Sequence, residues 1–397
     1  MHAAMEHAQI PGRSVPDRHG LQETAGLVVR VVESRILDCP TTRRHKLSNT
    51  EIAHQSYVIV QVVLENGVIG YGEASTLGGP RWAEESVESI KAAIDIYLAP
   101  AVKGLCALSF EQAGVRMAAA ATRNFAAKAA IDSALYDAAG KSLGLPASAL
   151  LGGAVRDSME VIWALASGDA DQEIEEARAK LKAREHRHFK IKLGFLSPRD
   201  DMARVARIID AVGNDARIIV DVNQAWSEAT AIRYLPALHE MGVALVEQPV
   251  AAAKSAAMGR LAARSSVPLL VDEGAFTLEE LVRAGTGAEG TVYSLKLVKS
   301  GGLMEMKRAA GIAAGFGMEL YGGCLIESGI GAAAHLAVFS TLPKLEWGTE
   351  HFGPRILVED LTAGGIEYHD FKVWCPEGPG LGVVVAEDVL RRFARPV

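Results

Sequence analysis

The sequence predicts an α/β protein: a (β/α)8-type, TIM-like barrel behind an N-terminal α+β capping domain. Three observations predict it. From Val161 onward, eight short apolar segments recur at intervals of 23 to 29 residues. Between them lie Ala-rich stretches with apolar residues at helical spacing, so strands alternate with helices and pair in parallel. Before Val161 the rhythm differs, with long β-branched segments first and helices afterwards. Eight consecutive βα units fit a closed barrel better than an open doubly wound sheet. No GxGxxG follows any strand to favour a dinucleotide fold.

Taken in order, residues 1–24 are polar, contain two prolines and lack the apolar stretch of a signal peptide. They are expected to form a flexible extension. Residues 25–150 are expected to form the capping domain. GLVVRVVESRIL and SYVIVQVVL read as strands, and ENG at 65–67 is a hairpin signal before VIGYGEA. The period then becomes helical in AEESVESIKAAIDIYLAPAV, SFEQAGVRMAAAA and FAAKAAIDSALYDAAGKSLG. A glycine stop and a following proline end the last of these, in GKSLGLP.

Residues 151–375 are expected to form the barrel. Its strands lie in VIWALAS from 161, FKIKLG from 189, IIVDVN from 218 and ALVEQP from 244. LLVDEG from 269, VYSLKLV from 292, MELYGG from 318 and KLEWGT from 344 complete the set. Residues 376–397 are expected to pack back on the capping domain.

Composition narrows the function. With 49% hydrophobic and 22% charged residues, the chain reads as an ordinary soluble globular protein. A net charge of −7 and the lack of a long basic run argue against a nucleic-acid partner. No apolar run is long enough to span a membrane. Cys39, Cys106, Cys324 and Cys375 are widely spaced, which suits free thiols in a reducing cytoplasm rather than a disulfide frame or a zinc site.

In a barrel of this kind the active site lies at the C-terminal ends of the strands. Charged residues gather at those ends: Lys190 and Lys192, Asp221 with Asn223, Glu247, Asp272 with Glu273, Lys296 with Lys299, and Glu327 in the loop after the seventh strand. A lone acid at a strand end is most often a helix cap. Asp221, Glu247 and Asp272, however, occupy the same register on three successive strands. Acids converging at about 4 Å repel by roughly 4 kcal/mol per pair at an effective dielectric near 20, so a cation belongs among them. An oxygen-only ligand set points to Mg2+ or Mn2+.

Lys190 and Lys192 share one strand face, and Lys296 lies on the opposite side of the barrel. A metal on one wall with an ammonium group on each flank suits proton transfer at the carbon next to a carboxylate. Neighbouring cations are expected to lower the pKa of the lysine that moves the proton. Lys299 is offset from Lys296 and reads as a structural or loop residue.

These residues resemble the enolase superfamily. The Lys-x-Lys pair and the lysine on strand six are similar to its muconate-lactonizing subgroup. TTRRHKLS, ENGVIGYGEAST, GKSLGLPASALLGG, YGGCLIESGIG and LEWGTEHFGP look like the muconate and chloromuconate cycloisomerases of that subgroup. The resemblance implies metal ligation by Asp221, Glu247 and Asp272. It also implies acid/base roles for Lys192 and Lys296, support from Lys190, and supporting or relay roles for Asn223 and Glu327. Tyr57 and His45 are expected at or behind the substrate.

The implied substrate is a small dicarboxylate, cis,cis-muconate or a substituted muconate, and the implied state a homo-oligomer, an octamer. The loops near Arg43–Lys46 and Ser75–Trp82 are expected to cover the mouth. Dipeptide epimerases, N-acylamino acid racemases and o-succinylbenzoate synthases of the subgroup share the lysines and metal. Epimerases usually carry an Asp-x-Asp after strand eight, and EWGTEHFGP has none. A metal-free barrel aldolase, with Lys192 or Lys296 forming a Schiff base, leaves the three acids without a role. A non-catalytic binding protein leaves the whole set without one.

Overall fold

The computed structural model describes residues 26–48 and 50–396, and the expected extension at 1–24 lies outside the described residues. Long β-branched runs form an antiparallel sheet of β1 (Val29–Lys46), β2 (Glu51–Leu64) and β3 (Ile69–Thr76). The turn between β2 and β3 contains Gly67 at φ 85°, a left-handed position that favours glycine. The helix Phe125–Leu143 is buried on nearly every side and ends at Gly144 in the left-handed region. It lies against β3 because β3 presents glycines there. A Cβ on Gly70 would stand 2.5 Å from the Ala138 amide, and one on Gly72 would stand 2.9 Å from the Ala134 amide.

The same helix carries Asp132, whose Oδ2 accepts the Leu303 amide at 2.7 Å at the start of the helix Leu303–Gly315. Burial, against the pull of that amide and with the charges of Glu305 and Glu111, pushes its carboxyl up to about 7. An unfolded aspartate loses its proton near 3.9. Between those values the folded chain holds more protons, so stability falls as pH rises from about 4 to about 7. Asp132→Asn keeps the acceptor and removes the charge. It is expected to stabilise the protein at pH 8 by on the order of 3 kcal/mol and to flatten the decline between pH 5 and pH 8. Thermal melts of the two proteins check this; parallel curves with no gain at pH 8 would contradict it.

After β4 (Ser158–Glu160), strands and helices alternate. The strands are β5 (Ile162–Leu165), β6 (His188–Lys192), β7 (Arg217–Asp221), β8 (Leu245–Glu247), β9 (Leu269–Val271), β10 (Val292–Leu295) and β11 (Glu319–Gly322). They pair in parallel, in chain order, as one curled sheet. Ile162, Ile219, Leu245, Leu270, Val292, Tyr321 and Trp347 make a separate apolar cluster inside the curl.

The eighth strand expected at 344–349 is not formed. Gly348 takes φ 69° after a turn at Glu346–Trp347, which breaks the extended run. Thr349 nonetheless bridges both edges, pairing with Val161 beside β5 and with Gly322 of β11. Ile162 donates to the Thr349 carbonyl at 2.8 Å, and Glu350 donates to the Gly322 carbonyl at 2.8 Å. This turn brings Glu350 to the same end of the sheet as the acids.

β12 (Glu367–His369) and β13 (Lys372–Trp374) join β4 in a small antiparallel sheet. The last segment returns to the N-terminal sheet: Arg395 pairs with Asp38 at 2.8 Å, and Glu387 accepts from Tyr71. The four cysteines are free thiols. Among the described residues no helix is long and apolar enough to cross a membrane.

Candidate active site

Side chains two apart on a strand share a face, so the acids stand one layer above the apolar cluster: Asp221 above Ile219, Glu247 above Leu245, Asp272 above Leu270. Register sets their neighbours. Lys192 pairs with Asp221 across β6 and β7, and Asp221 pairs with Glu247 across β7 and β8. Asp272 follows the end of β9, and Lys296 the end of β10, at the start of the short helix Leu297–Ser300.

The three lysines are 0%, 7% and 3% exposed at 190, 192 and 296, so none of them snorkels to the rim. Each instead holds a different buried acid. Lys192 donates to Asp221 Oδ2 at 2.6 Å, Lys190 to Glu247 Oε2, and Lys296 to Asp272 Oδ2. Lys190 also pairs with Glu350 at 2.8 Å. Lys299 is fully buried below Lys296. It donates to the Asp272 carbonyl at 2.8 Å and the Ser294 carbonyl at 2.9 Å, a structural use.

A pocket opens over this cluster. Lys192, Asp221, Asn223, Glu247, Asp272, Lys296 and Glu350 form its polar floor, and His45, Leu77, Trp82, Cys324, Leu325, Ile326 and Phe352 are among its walls. Both segments expected at the mouth contribute: Arg43–Lys46, which is here the end of β1, through His45, and the Ser75–Trp82 segment through Leu77 and Trp82. The Trp82 ring covers Lys296, with Nζ 4.3 Å from its centroid, and packs on Phe276.

Charge states follow from these contacts. Burial works against each ammonium, yet the carboxylates win: Asp221 holds Lys192 above its ordinary pKa, and Asp272 and Glu247 do the same for Lys296. With only side chains present, Lys192 and Lys296 each meet a carboxylate more closely than another lysine, and burial lowers Lys299 to about 8 despite Asp272. Burial pushes the Cys324 thiol well up, with Glu350 and Glu327 adding to it, so it is no nucleophile. His45 is held neutral by burial and by the charges of Arg43, Lys192 and Lys190.

The acids fit a hard divalent cation. All three are buried and offer only oxygen. Burial and the charge of Asp221 push Glu247 well above the carboxylate range, against the pull of Lys190. That repulsion is what a dication relieves. Beside them, Asn223 Oδ1 and Glu273 Oε2 are buried acceptors with no hydrogen-bond partner among the described residues.

A second buried group, Glu327, His335 and His351, also brings metal-capable atoms within 4.8 Å of one another. It is spent on structure. His335 Nε2 accepts the Leu297 amide at 3.0 Å, and its Nδ1 faces the Gly331 carbonyl at 2.8 Å.

Glu327 and Tyr57 are not brought into the pocket. Glu327 accepts the Leu325 amide at 2.9 Å, and the Tyr57 hydroxyl donates to the Ile326 carbonyl at 2.6 Å, both behind the wall. Sequence reasoning passed over Glu350, Cys324 and Phe352 as pocket residues. Only Glu350 carried a signal, an acid in the motif EWGTEHFGP at the eighth strand position.

Comparison with known proteins agrees with this geometry. Residues 31–152 match the family described as mandelate racemase / muconate lactonizing enzyme, N-terminal domain, and residues 172–389 match enolase C-terminal domain-like. A chloromuconate cycloisomerase of Pseudomonas putida is 41% identical over 92% of this chain and 99% of its own. Muconate cycloisomerase 1 of Pseudomonas putida is 42% identical over 94% of this chain and 100% of its own. The crystal structure of a muconate lactonizing enzyme from Pseudomonas fluorescens complexed with muconolactone superposes with a TM-score of 0.92. It shares 41% identity over 93% of this chain and 100% of that one.

Proposed function

The chain belongs to the mandelate racemase / muconate lactonizing enzyme family of the enolase superfamily, and on that premise we propose that it closes cis,cis-muconate, or a substituted muconate, to a muconolactone. It is an isomerase of the intramolecular lyase type. One observation carries the reading to chemistry: Lys192 and Lys296 reach one pocket from opposite sides of three buried acids. We read the curled sheet, joined edge to edge through Thr349, as the (β/α)8-type barrel of that superfamily.

Asp221, Glu247 and Asp272 would hold a Mn2+ or Mg2+ ion, which when bound supplies Lewis-acid stabilisation of negative charge on a substrate carboxylate. The remaining work falls to side chains. One carboxylate oxygen of muconate adds across the diene, a C–O bond forms, and the electron pair moves toward the other carboxylate. Lys192 or Lys296, each an ammonium in this setting, donates its proton to the carbon next to that carboxylate and regains it from water. Glu247 and Glu350 hold Lys190 charged beside Lys192 against the cost of burial. His45, neutral and with Nδ1 unpartnered among the described residues, would hydrogen-bond a substrate carboxylate from the mouth. Trp82, backed by Phe276, packs over Lys296 and limits water around it. A cytoplasmic homo-oligomer belongs to the same proposal.

Loss of muconate absorbance with Mn2+ present tests the reading. EDTA is expected to abolish turnover and added Mn2+ to restore it, whereas metal-independent turnover would defeat it. Lys192→Ala is expected to lower kcat by about 10² to 10⁴, the usual range for a positioned proton donor. Full activity in that variant would remove Lys192 from the site.

A further inference from the structure

Part of the pocket wall is loop backbone that is bonded from another element. Leu325 and Ile326, in the loop after β11, line the pocket, and Ile326 sits at φ 57°. A β-branched residue in the left-handed region persists only where its surroundings hold it. The support comes from β2 of the N-terminal sheet. The Tyr57 hydroxyl donates to the Ile326 carbonyl at 2.6 Å. Gln55 Nε2 donates to the Leu325 carbonyl at 2.8 Å and to the Thr76 carbonyl at 2.8 Å. Both side chains are fully buried. Thr76 ends β3 and precedes Leu77, another wall residue. One amide group therefore ties the N-terminal wall segment to the barrel wall segment.

We propose that Gln55 and Tyr57 are positioning residues that set the shape of the Leu77–Leu325–Ile326 wall, and so decide which substituted muconates the pocket admits. This rests on the muconate reading for the identity of the substrate and on geometry alone for the fixing of the wall. Neither residue touches the pocket, so each acts through backbone carbonyls. Two more contacts hold the same loop: Ser328 donates its amide to Glu73 of β3 at 3.0 Å, and Leu325 donates its amide to Glu327. Both protected amides report on the loop without any substrate.

Tyr57→Phe removes one oxygen and leaves the Ile326 carbonyl without its donor in a buried site, an omission usually felt as about tenfold or more in an equilibrium. KM for cis,cis-muconate is expected to rise by about tenfold, with kcat within about threefold of wild type. The ratio of kcat/KM between muconate and 2-chloromuconate is expected to shift by at least about fivefold, with Mn2+ affinity unchanged. Hydrogen exchange at Leu325 and Ser328 is expected to quicken by about tenfold. Gln55→Met, which removes both donated bonds from the other side, is expected to act in the same direction and covers the case in which Tyr57→Phe fails to fold.

Unchanged exchange at Leu325 and Ser328 in a folded variant overturns the proposal, as does equal loss for both substrates with KM unmoved. If the wild type leaves muconate unconverted, the functional reading fails, and the exchange comparison alone decides whether the wall is held from β2.

Discussion

Asp272→Asn is expected to lose at least about 10³-fold in kcat, together with most of its affinity for Mn2+. Asp272 meets two of the buried lysines. It accepts from Lys296 and Lys299, and burial alone would raise its pKa, yet those two ammonium ions hold it well below the carboxylate range. An amide of the same shape leaves a neutral oxygen where a charged one faced both lysines and the cation. Lys296 then loses the partner that aims its ammonium over the pocket. Calorimetric Mn2+ titration and steady-state kinetics check both arms. A variant that binds Mn2+ as wild type and turns over at wild-type rate would take Asp272 out of the ligand set, and with it the argument from three aligned strand ends.

The second large effect is on stability. Lys190→Met is expected to cost about 3 to 5 kcal/mol, because it leaves Glu247 and Glu350 buried near each other without their shared cation. Breaking a buried pair costs more than the pair contributes, since the survivor keeps its desolvation penalty. Lys190→Met combined with Glu350→Gln removes one of the two stranded charges and is expected to recover part of the loss. Urea unfolding in the presence of EDTA, which keeps metal linkage out of the comparison, measures both. A single variant as stable as wild type would mean that Lys190 carries no charge-holding role.

Much of the site was legible because strand geometry is periodic. Lys190 and Lys192, and the pairs Ile219–Asp221, Leu245–Glu247 and Leu270–Asp272, obey a two-residue period that can be read without coordinates. Glu350 escaped because a left-handed turn at Gly348 replaces the strand that the pattern KLEWGT suggested, so no alternation marks which way it points. Glu327 and Tyr57 were expected near the chemistry from the motifs around them. They lie one layer behind it, because each is committed to a backbone group of the loop between β11 and the helix Gly329–Phe339.

By itself the sequence determined the alternation of strands and helices through the seventh barrel strand, the three acids that offer only oxygen, and the lysines that face them. These are consequences of local periodicity and of the chemistry of single side chains. Only the tertiary structure decided which lysine holds which acid, how the edges join through Thr349, and which side chains of β2 bond the loop after β11. Those depend on register between segments far apart in the chain. The charge states turned on the same fact: a lysine among lysines reads as a depressed base, but a lysine 2.6 Å from a carboxylate is an ammonium.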